Sequence, residues 1–429
     1  MSVHNKLSLS SAVLINLNVM VGAGIFINTV LLSKNAGGLG AFAYLLVGLL
    51  ILPLIISMSA LAKMHRGGTF YDYGANIHPY AGFLAIMSYF VAKLASCALA
   101  VHVCISLLQT IFPWLAQFPT LFIDYGVIAV FAALNTLNLR VGRRIQLVFM
   151  VCKFIPILFV IITGLYLFNV HNFDTSHLYA SGIVTSVPFI LYAFTGFEVS
   201  CSLSRALQNP ERDGPRAMLF AYALGITFVC LFQGMFYGSL GNMFEGMSSY
   251  LQAFPALLSM FSLSPDAYHV LKGILHIGIA ASALGAAYGI MYSNAWNLFE
   301  VAVQGHTIKQ AIFSRLNQHQ IPAACIVIEA LIAAAYLFFS QGNQIPLQQI
   351  LALGSVISYS LCVIGLLCAT YRVHKTIAVI PVLGIMSCLL LMTSIVRSFL
   401  LYGYVPALIF VSILVGISCM FRSYDALDA

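Results

Sequence analysis

Two lysines, Lys93 and Lys153, lie inside long apolar stretches of the sequence. A charged side chain in such a stretch is costly within a membrane, so by default it marks a functional site. Because burial disfavours the charged form of a lysine, Lys153 is suited to gaining and losing a proton. The alternative is a fixed cation that only ties neighbouring helices together.

A pair of glycines indicates a second kind of chemistry. The run 20–26, Met-Val-Gly-Ala-Gly-Ile-Phe, places Gly22 and Gly24 in the middle of an apolar stretch. Glycine costs roughly 1 kcal/mol relative to alanine in a helix interior. A break within lipid also leaves backbone N–H and C=O groups unpaired unless they line a cavity or meet a ligand. The run therefore predicts an unwound helix that binds a small polar solute, as in many secondary transporters.

A similar run follows at 192–198, Tyr-Ala-Phe-Thr-Gly-Phe-Glu. It interrupts an apolar stretch at Gly196, and the polar residues Thr195 and Glu198 lie beside that glycine. Two broken helices five spans apart predict an inverted repeat with the binding site between its halves. The alternative is that these glycines only allow membrane helices to pack closely.

Composition predicts the helices that position these residues. Hydrophobic residues make up 61% of the chain and charged residues 7%, far below the roughly 25% charged residues of a soluble domain. We therefore expect an all-α polytopic membrane protein. The first apolar run leads directly into others and lacks a small-residue cleavage site, so we expect it to remain as a helix. Runs near the length that spans a bilayer predict twelve transmembrane helices, at 9–32, 40–61, 80–111, 124–140, 145–168, 182–203, 216–240, 268–299, 321–340, 346–371, 377–396 and 400–421.

Basic residues are distributed unevenly between the two sides of these spans. With the N-terminus inside, only Lys34, Lys272 and Arg397 fall on the outer side, and the other basic loop residues fall in the cytoplasm. This asymmetry satisfies the positive-inside rule. We therefore expect an integral protein of the plasma (inner) membrane, in contact with the lipid bilayer and with both termini cytoplasmic. The net charge of +7 then reflects topology, and no basic soluble face is left for nucleic acid.

The sequence contains no pattern that indicates catalysis or a cofactor. Its ten cysteines lie mostly within the predicted spans, without metal-ligand spacing, and we interpret them as packing residues. No metal cluster, nucleophile motif or pair of carboxylates lies at a membrane face. We therefore expect a protein that is not an enzyme and binds neither a metal nor a cofactor.

Several motifs, in their order and spacing, are similar to those of the amino acid–polyamine–organocation (APC) family of permeases. The resemblance runs through most of the chain. It is carried by Gly-Ala-Gly-Ile-Phe at 22–26, Arg-Gly-Gly-Thr-Phe-Tyr-Asp-Tyr at 66–73, Pro-Tyr-Ala-Gly-Phe at 79–83, Lys-Phe-Ile-Pro at 153–156, Phe-Thr-Gly-Phe-Glu at 194–198 and Gln-Asn-Pro-Glu-Arg-Asp-Gly-Pro-Arg-Ala at 208–217.

The resemblance implies the leucine-transporter fold in one transmembrane domain, 1–429. Residues 9–168 and 182–371 would form two inverted repeats of five helices, with helices 1 and 6 broken, and 377–421 would add two helices. It also implies alternating-access transport of an amino acid or related amine, coupled to protons or working by exchange. A sodium-coupled or facilitative carrier, and a sensor that binds an amino acid without moving it, remain alternatives. The oligomeric state stays open.

The resemblance also implies a substrate site between the two breaks. The substrate carboxylate would meet backbone N–H groups of the first break, and the ammonium would meet carbonyl oxygens of both breaks. Either of two aromatic side chains would close over the substrate. The N–H groups are those of Gly22, Ala23 and Gly24, the carbonyls those of Met20, Val21, Tyr192, Ala193 and Thr195, and the aromatic residues Tyr192 and Phe194, with Gly196 completing the second break.

Charged residues near this site carry the remaining expectations. Lys153 matches the lysine that replaces the sodium ion in proton-coupled members of the family, and Glu198 matches a family glutamate that relays protons or binds backbone. Lys93 matches no family motif. It either faces the pocket, where it would select against cationic substrates, or extends its ammonium towards the membrane surface or forms an internal pair.

Overall fold

The computed structural model of the protein describes residues 6–65, 68–137, 139–173, 180–307, 309–375 and 377–418. Within these ranges the structure is predominantly helical, and no β-strand is present. An isolated bridge joins Leu7 to Leu207, where the Leu7 N–H donates to the Ala206 carbonyl at 2.8 Å. The N-terminal segment is thereby attached to the chain that follows the second predicted break.

Seventeen α-helices occur in the described ranges. They are α1 (Leu9–Met20), α2 (Gly24–Ala36), α3 (Gly40–Met64), α4 (Phe70–Ala75), α5 (Pro79–Ile111), α6 (Thr120–Asn135), α7 (Leu139–Leu167), α8 (Ala180–Phe194), α9 (Val199–Ser202), α10 (Pro210–Leu240), α11 (Ala253–Ser259), α12 (Pro265–Val303), α13 (Gln310–Phe313), α14 (Ala323–Ser340), α15 (Gln344–His374), α16 (Val379–Tyr402) and α17 (Val405–Ser418).

Nine helical segments in the described part of the chain are long and apolar enough to cross a membrane, with α1 and α2 counted together as one. Three more apolar helices are shorter, Thr120–Asn135, Ser181–Phe194 and Val405–Ser418. Each of the twelve predicted runs overlaps one of these segments. The prediction of a helical polytopic membrane protein is confirmed, and the count of twelve spans stays a prediction.

Proline sets the start of three long helices. Pro79, Pro210 and Pro265 are the first residues of α5, α10 and α12. Proline suits this position because its ring presets the helical φ angle and its missing N–H would have no partner there. At α12 the Ser264 hydroxyl also accepts a hydrogen bond from the Ala267 N–H at 3.3 Å, which caps the helix.

Helices α5 and α12 form the centre of the molecule and are buried along most of their length. One face of α12 carries glycines that let other helices approach its backbone. A side chain on Gly285 would collide with Phe149 of α7 and approach the side chain of Asn18 of α1. One on Gly289 would collide with Val19 of α1. The broken first helix therefore lies directly against α12.

Candidate functional site

The first predicted helix is interrupted where its two glycines lie. Helix α1 ends at Met20 and α2 begins at Gly24, with non-helical residues between them. Val21, Gly22 and Ala23 are all buried. A side chain at Gly22 would lie 2.7 Å from the Cβ atom of Ala286 in α12. The end of α1 leaves carbonyl oxygens without helical partners, and the start of α2 leaves N–H groups without them.

The second interruption follows α8, which ends at Phe194. Gly196 has a φ of +138°, a conformation that glycine adopts far more readily than other residues. The Gly196 N–H donates to a carboxylate oxygen of Glu198 at 2.8 Å. Helix α9 then begins at Val199. The glutamate therefore stabilises the turn that precedes its own helix.

The two breaks touch each other. A side chain on Gly196 would collide with the backbone of Met20. A Cβ atom on Gly24 would lie 2.7 Å from the Tyr192 ring and 3.0 Å from the Cα atom of Ala193. Five of the predicted site residues are thus brought together, and the contact depends on the absence of side chains at two of them.

The two aromatic candidates of α8 point to different neighbours. The Tyr192 ring lies against Gly24, at the first break. Phe194 is fully buried among aromatic rings, with its centroid 5.8 Å from that of Tyr44 and 5.9 Å from that of Tyr222. Tyr192 is therefore the aromatic residue next to both breaks, whereas Phe194 packs against α3 and α10.

Lys153 of α7 is fully buried and reaches the end of α1. Its ammonium donates to the Asn18 carbonyl at 2.7 Å and also to the Val21 carbonyl. The Ser282 hydroxyl of α12 donates to the Val21 carbonyl at 3.2 Å or to the Gly22 carbonyl at 3.3 Å. A positive charge suits this place because the carbonyl end of a helix carries partial negative charge.

Lys93 and Glu198 form a buried ion pair. The Lys93 ammonium lies 3.1 Å from the Glu198 carboxylate, and both side chains are almost completely excluded from solvent. The same carboxylate oxygen accepts a hydrogen bond from the Tyr89 hydroxyl at 2.7 Å. Of the placements expected for Lys93, the structure has the internal pair, and this pair joins α5 to the second break.

Several contacts at the breaks were missed by sequence reasoning. The Asn16 amide donates to the Phe197 carbonyl at 2.6 Å and to the Ser200 hydroxyl at 3.1 Å. The Asn18 amide donates to the side chain of Gln146, two helical turns from Lys153 on α7. Two asparagines inside a predicted span were the available signal. Ser282 gave none, because small polar residues are common in membrane helices.

The described residues contain no group of three or more His, Cys, Asp or Glu side chains arranged to hold a metal ion. A cavity of about 840 Å³ lies between α14, α15 and α17, and none of the predicted site residues lines it. The groups around the breaks are backbone N–H and carbonyl groups and the buried side chains of Lys93, Lys153 and Glu198.

Comparison with known proteins gives the family. The family model described as amino acid permease matches residues 7–421. The b(0,+)-type amino acid transporter 1 of Homo sapiens is 24% identical over 407 residues, which are 89% of this chain and 80% of that protein. The arginine/ornithine antiporter of Latilactobacillus sakei is 24% identical over 362 residues, 78% of this chain and 72% of that protein. The chain therefore belongs to the amino acid permeases of the APC family, as its motifs predicted.

Proposed function

We propose that the protein transports an amino acid or a related small amine across the membrane by alternating access, coupled to protons or by exchange. The observation that supports this most is the contact between the two helix breaks, which brings backbone N–H groups of the first break close to carbonyl groups of both, as in many secondary transporters. The two relatives are an amino acid transporter and an arginine/ornithine antiporter, which supports such a function.

The geometry favours a particular distribution of the substrate's groups. The N–H groups of Gly22, Ala23 and Gly24 precede the helical bonds of α2, and such a helix start suits a carboxylate. The Val21 carbonyl already accepts a hydrogen bond from Lys153 and lies within reach of the Ser282 hydroxyl, and a carbonyl oxygen has only two lone pairs. We therefore assign the substrate ammonium chiefly to the other candidate carbonyls, those of Met20, Tyr192, Ala193 and Thr195.

Lys153 favours protons or exchange over sodium. Its ammonium binds the Asn18 and Val21 carbonyls, so a sodium ion would have to compete with this ammonium for the same oxygens. In our proposal Lys153 and Glu198 are the candidates for proton coupling. The same proposal includes twelve spans, inverted repeats at 9–168 and 182–371, and both termini in the cytoplasm.

Buried charge near the breaks supports a preference against cationic substrates. Lys93 is paired with the Glu198 carboxylate, whereas Lys153 binds neutral carbonyls, so the positive charge of Lys153 has no carboxylate to balance it among the described residues. Like charges repel strongly in a low-dielectric site. We expect arginine and polyamines to be poor ligands of the wild type. The Lys93→Met variant should bind them, because it removes one positive charge. The double variant Lys93→Met with Glu198→Gln should exclude them again, because it also removes the negative charge. Ligand binding by each protein is measured by thermal-shift screening. Tight arginine binding by the wild type would contradict this preference, as would identical ligand profiles of the single and double variants.

Transport itself is tested in proteoliposomes that contain the purified protein. We expect radiolabelled amino acids to accumulate when a pH gradient is imposed or when unlabelled amino acid is supplied inside. Empty liposomes are the control. Thermal stabilisation by an amino acid without any flux would indicate a sensor, and accumulation that depends on a sodium gradient would indicate the sodium-coupled alternative. Either result would overturn the proposal.

A further inference from the structure

Glu329 of α14 is fully buried, and neither of its carboxyl oxygens has a hydrogen-bond partner among the described residues. Glu198, another buried glutamate, differs sharply. Its carboxylate accepts hydrogen bonds from the Lys93 ammonium, the Tyr89 hydroxyl and the Gly196 N–H. The two carboxyl groups therefore occupy opposite environments within the same helix bundle.

The neighbours of Glu329 provide no positive charge. The amide of Asn294 in α12 is the polar group that acts on it most directly. One of the two N–H groups of this amide donates to the Phe90 carbonyl at 3.0 Å, and the other offers the carboxyl group a neutral donor but no counter-charge. The titratable groups that face the carboxyl are two thiols, Cys97 of α5 and Cys325 of α14 itself. No ion pair to Glu329 is present in the described part of the chain.

An ionised carboxylate in such a place would lose its hydration without gaining a counter-charge. The neutral acid avoids this loss, so in the arrangement seen here the carboxyl group holds a proton. In the deprotonation step the carboxyl group passes its proton to a water molecule and becomes a carboxylate, which then needs hydrogen bonds from water or from an amide N–H. Separation of α14 from α5 and α12 would provide both.

Helix α12 connects this carboxyl group with the helix break. It runs without interruption from Pro265 to Val303 and contributes Ser282 to the break and Asn294 to Glu329. These two residues lie about 18 Å apart along the helix at 1.5 Å per residue. Because α12 is continuous, a rigid-body movement of this helix at the break would also displace the amide that faces the carboxyl group.

We propose that Glu329 is a second proton-binding site, loaded in this conformation and linked through α12 to the substrate site. The link to substrate rests on the proposed transport function, whereas the proton site itself does not. This residue is far along the chain from the proposed site and lies on a helix that contributes none of the proposed substrate contacts.

Infrared spectroscopy of the purified protein tests the proton site. The C=O stretch of a protonated carboxylic acid is distinct from the bands of a carboxylate. We expect such a band near neutral pH, its reversible loss as the pH is raised, and its absence in Glu329→Gln, which mimics the protonated acid in shape. Glu245→Gln, at an exposed position, is the matched control and should retain the band. A band that Glu329→Gln retains, or one that no pH change removes, would overturn the proposal.

A second measurement tests the link to substrate. A mixture of all proteinogenic amino acids is added to the wild type, and binding is followed by thermal shift. We expect the carboxylic acid band to change when stabilisation is seen. Stabilisation without any change of the band would overturn the link. Absence of stabilisation would instead count against the transport proposal, while the pH titration still decides whether Glu329 binds a proton.

Discussion

The first and second helix breaks are stabilised by side chains of opposite charge. At the first, carbonyl oxygens at the end of α1 accept hydrogen bonds from the Lys153 ammonium. At the second, the Gly196 N–H donates to the Glu198 carboxylate. The type of backbone group that lacks a helical partner, carbonyl or N–H, thus decides the sign of the charge on the side chain that binds it. The two sites also differ in their surroundings, because Glu198 has a counter-ion in Lys93, whereas Lys153 meets neutral groups.

The largest effect is expected where the two breaks touch. Gly24→Leu would place a side chain against the Tyr192 ring and the Ala193 backbone, which lie 2.7 Å and 3.0 Å from its Cβ position. We expect complete loss of substrate binding from a protein that still folds and inserts, measured by thermal shift with the amino acid mixture. Gly126→Leu, whose Cβ position has nothing within 4 Å, should bind normally. Normal binding by a folded Gly24→Leu protein would show that the substrate site does not lie where the two breaks touch.

The next effect concerns the second break. Glu198→Gln leaves the Lys93 ammonium buried without a counter-ion, and breaking a buried pair in this way costs about 3–5 kcal/mol. We expect a loss of that size in the free energy of unfolding in mixed micelles. Adding Lys93→Met to Glu198→Gln should recover part of it. If the double variant is no more stable than Glu198→Gln, the pair does not carry the stability assigned to it.

A smaller loss of stability is expected at the first break. Lys153→Met removes the charge and leaves only neutral carbonyls, one of which is still within reach of Ser282, so the free energy of unfolding should fall by about 1–3 kcal/mol. Accumulation driven by a pH gradient should be lost. Lys34→Met, at an exposed position, should leave both measurements unchanged. Undiminished uphill uptake by Lys153→Met would exclude Lys153 as the coupling group.

The smallest effect belongs to the hydroxyl that shares these carbonyls. Ser282→Ala removes one hydrogen bond to the first break, and we expect the free energy of unfolding to fall by about 1 kcal/mol. Ser293→Ala is the matched control, since that hydroxyl is also buried in α12 and bonds to the Gly289 and Ile290 carbonyls of its own helix, so its loss should change stability very little. Equal changes in the two variants would show that Ser282 does not stabilise the break.

Local features of the chain predicted where two helices break and identified Lys153 as a candidate functional residue. Glycines and a lysine inside an apolar run stand out without knowledge of any partner. The apolar runs likewise predicted the membrane helices. The partners of these residues could not be found in this way. Asn16 binds Phe197 across 181 positions of sequence, and nothing local signals such a contact.

The direction of Lys93 illustrates the same limit on sequence reasoning. Helix α5 is buried on nearly all of its faces, so its residues show no amphipathic pattern that would tell which side faces the substrate site. The internal pair with Glu198 became apparent only when the second break was placed beside α5. Glu329 also lies within an apolar run of the sequence. That its carboxyl oxygens have no hydrogen-bond partner among the described residues is a property of the packed helices and cannot be read from that run.

The glycines of α12 have a consequence for how the broken helix can move. Gly278 lies against Pro156, Gly285 against Phe149, and Gly289 against Val19, so α7 and α1 approach the backbone of α12 closely at these three positions. Glycine has no side-chain rotamers, so no side chain of α12 would have to rearrange at these positions if α1 changed its tilt.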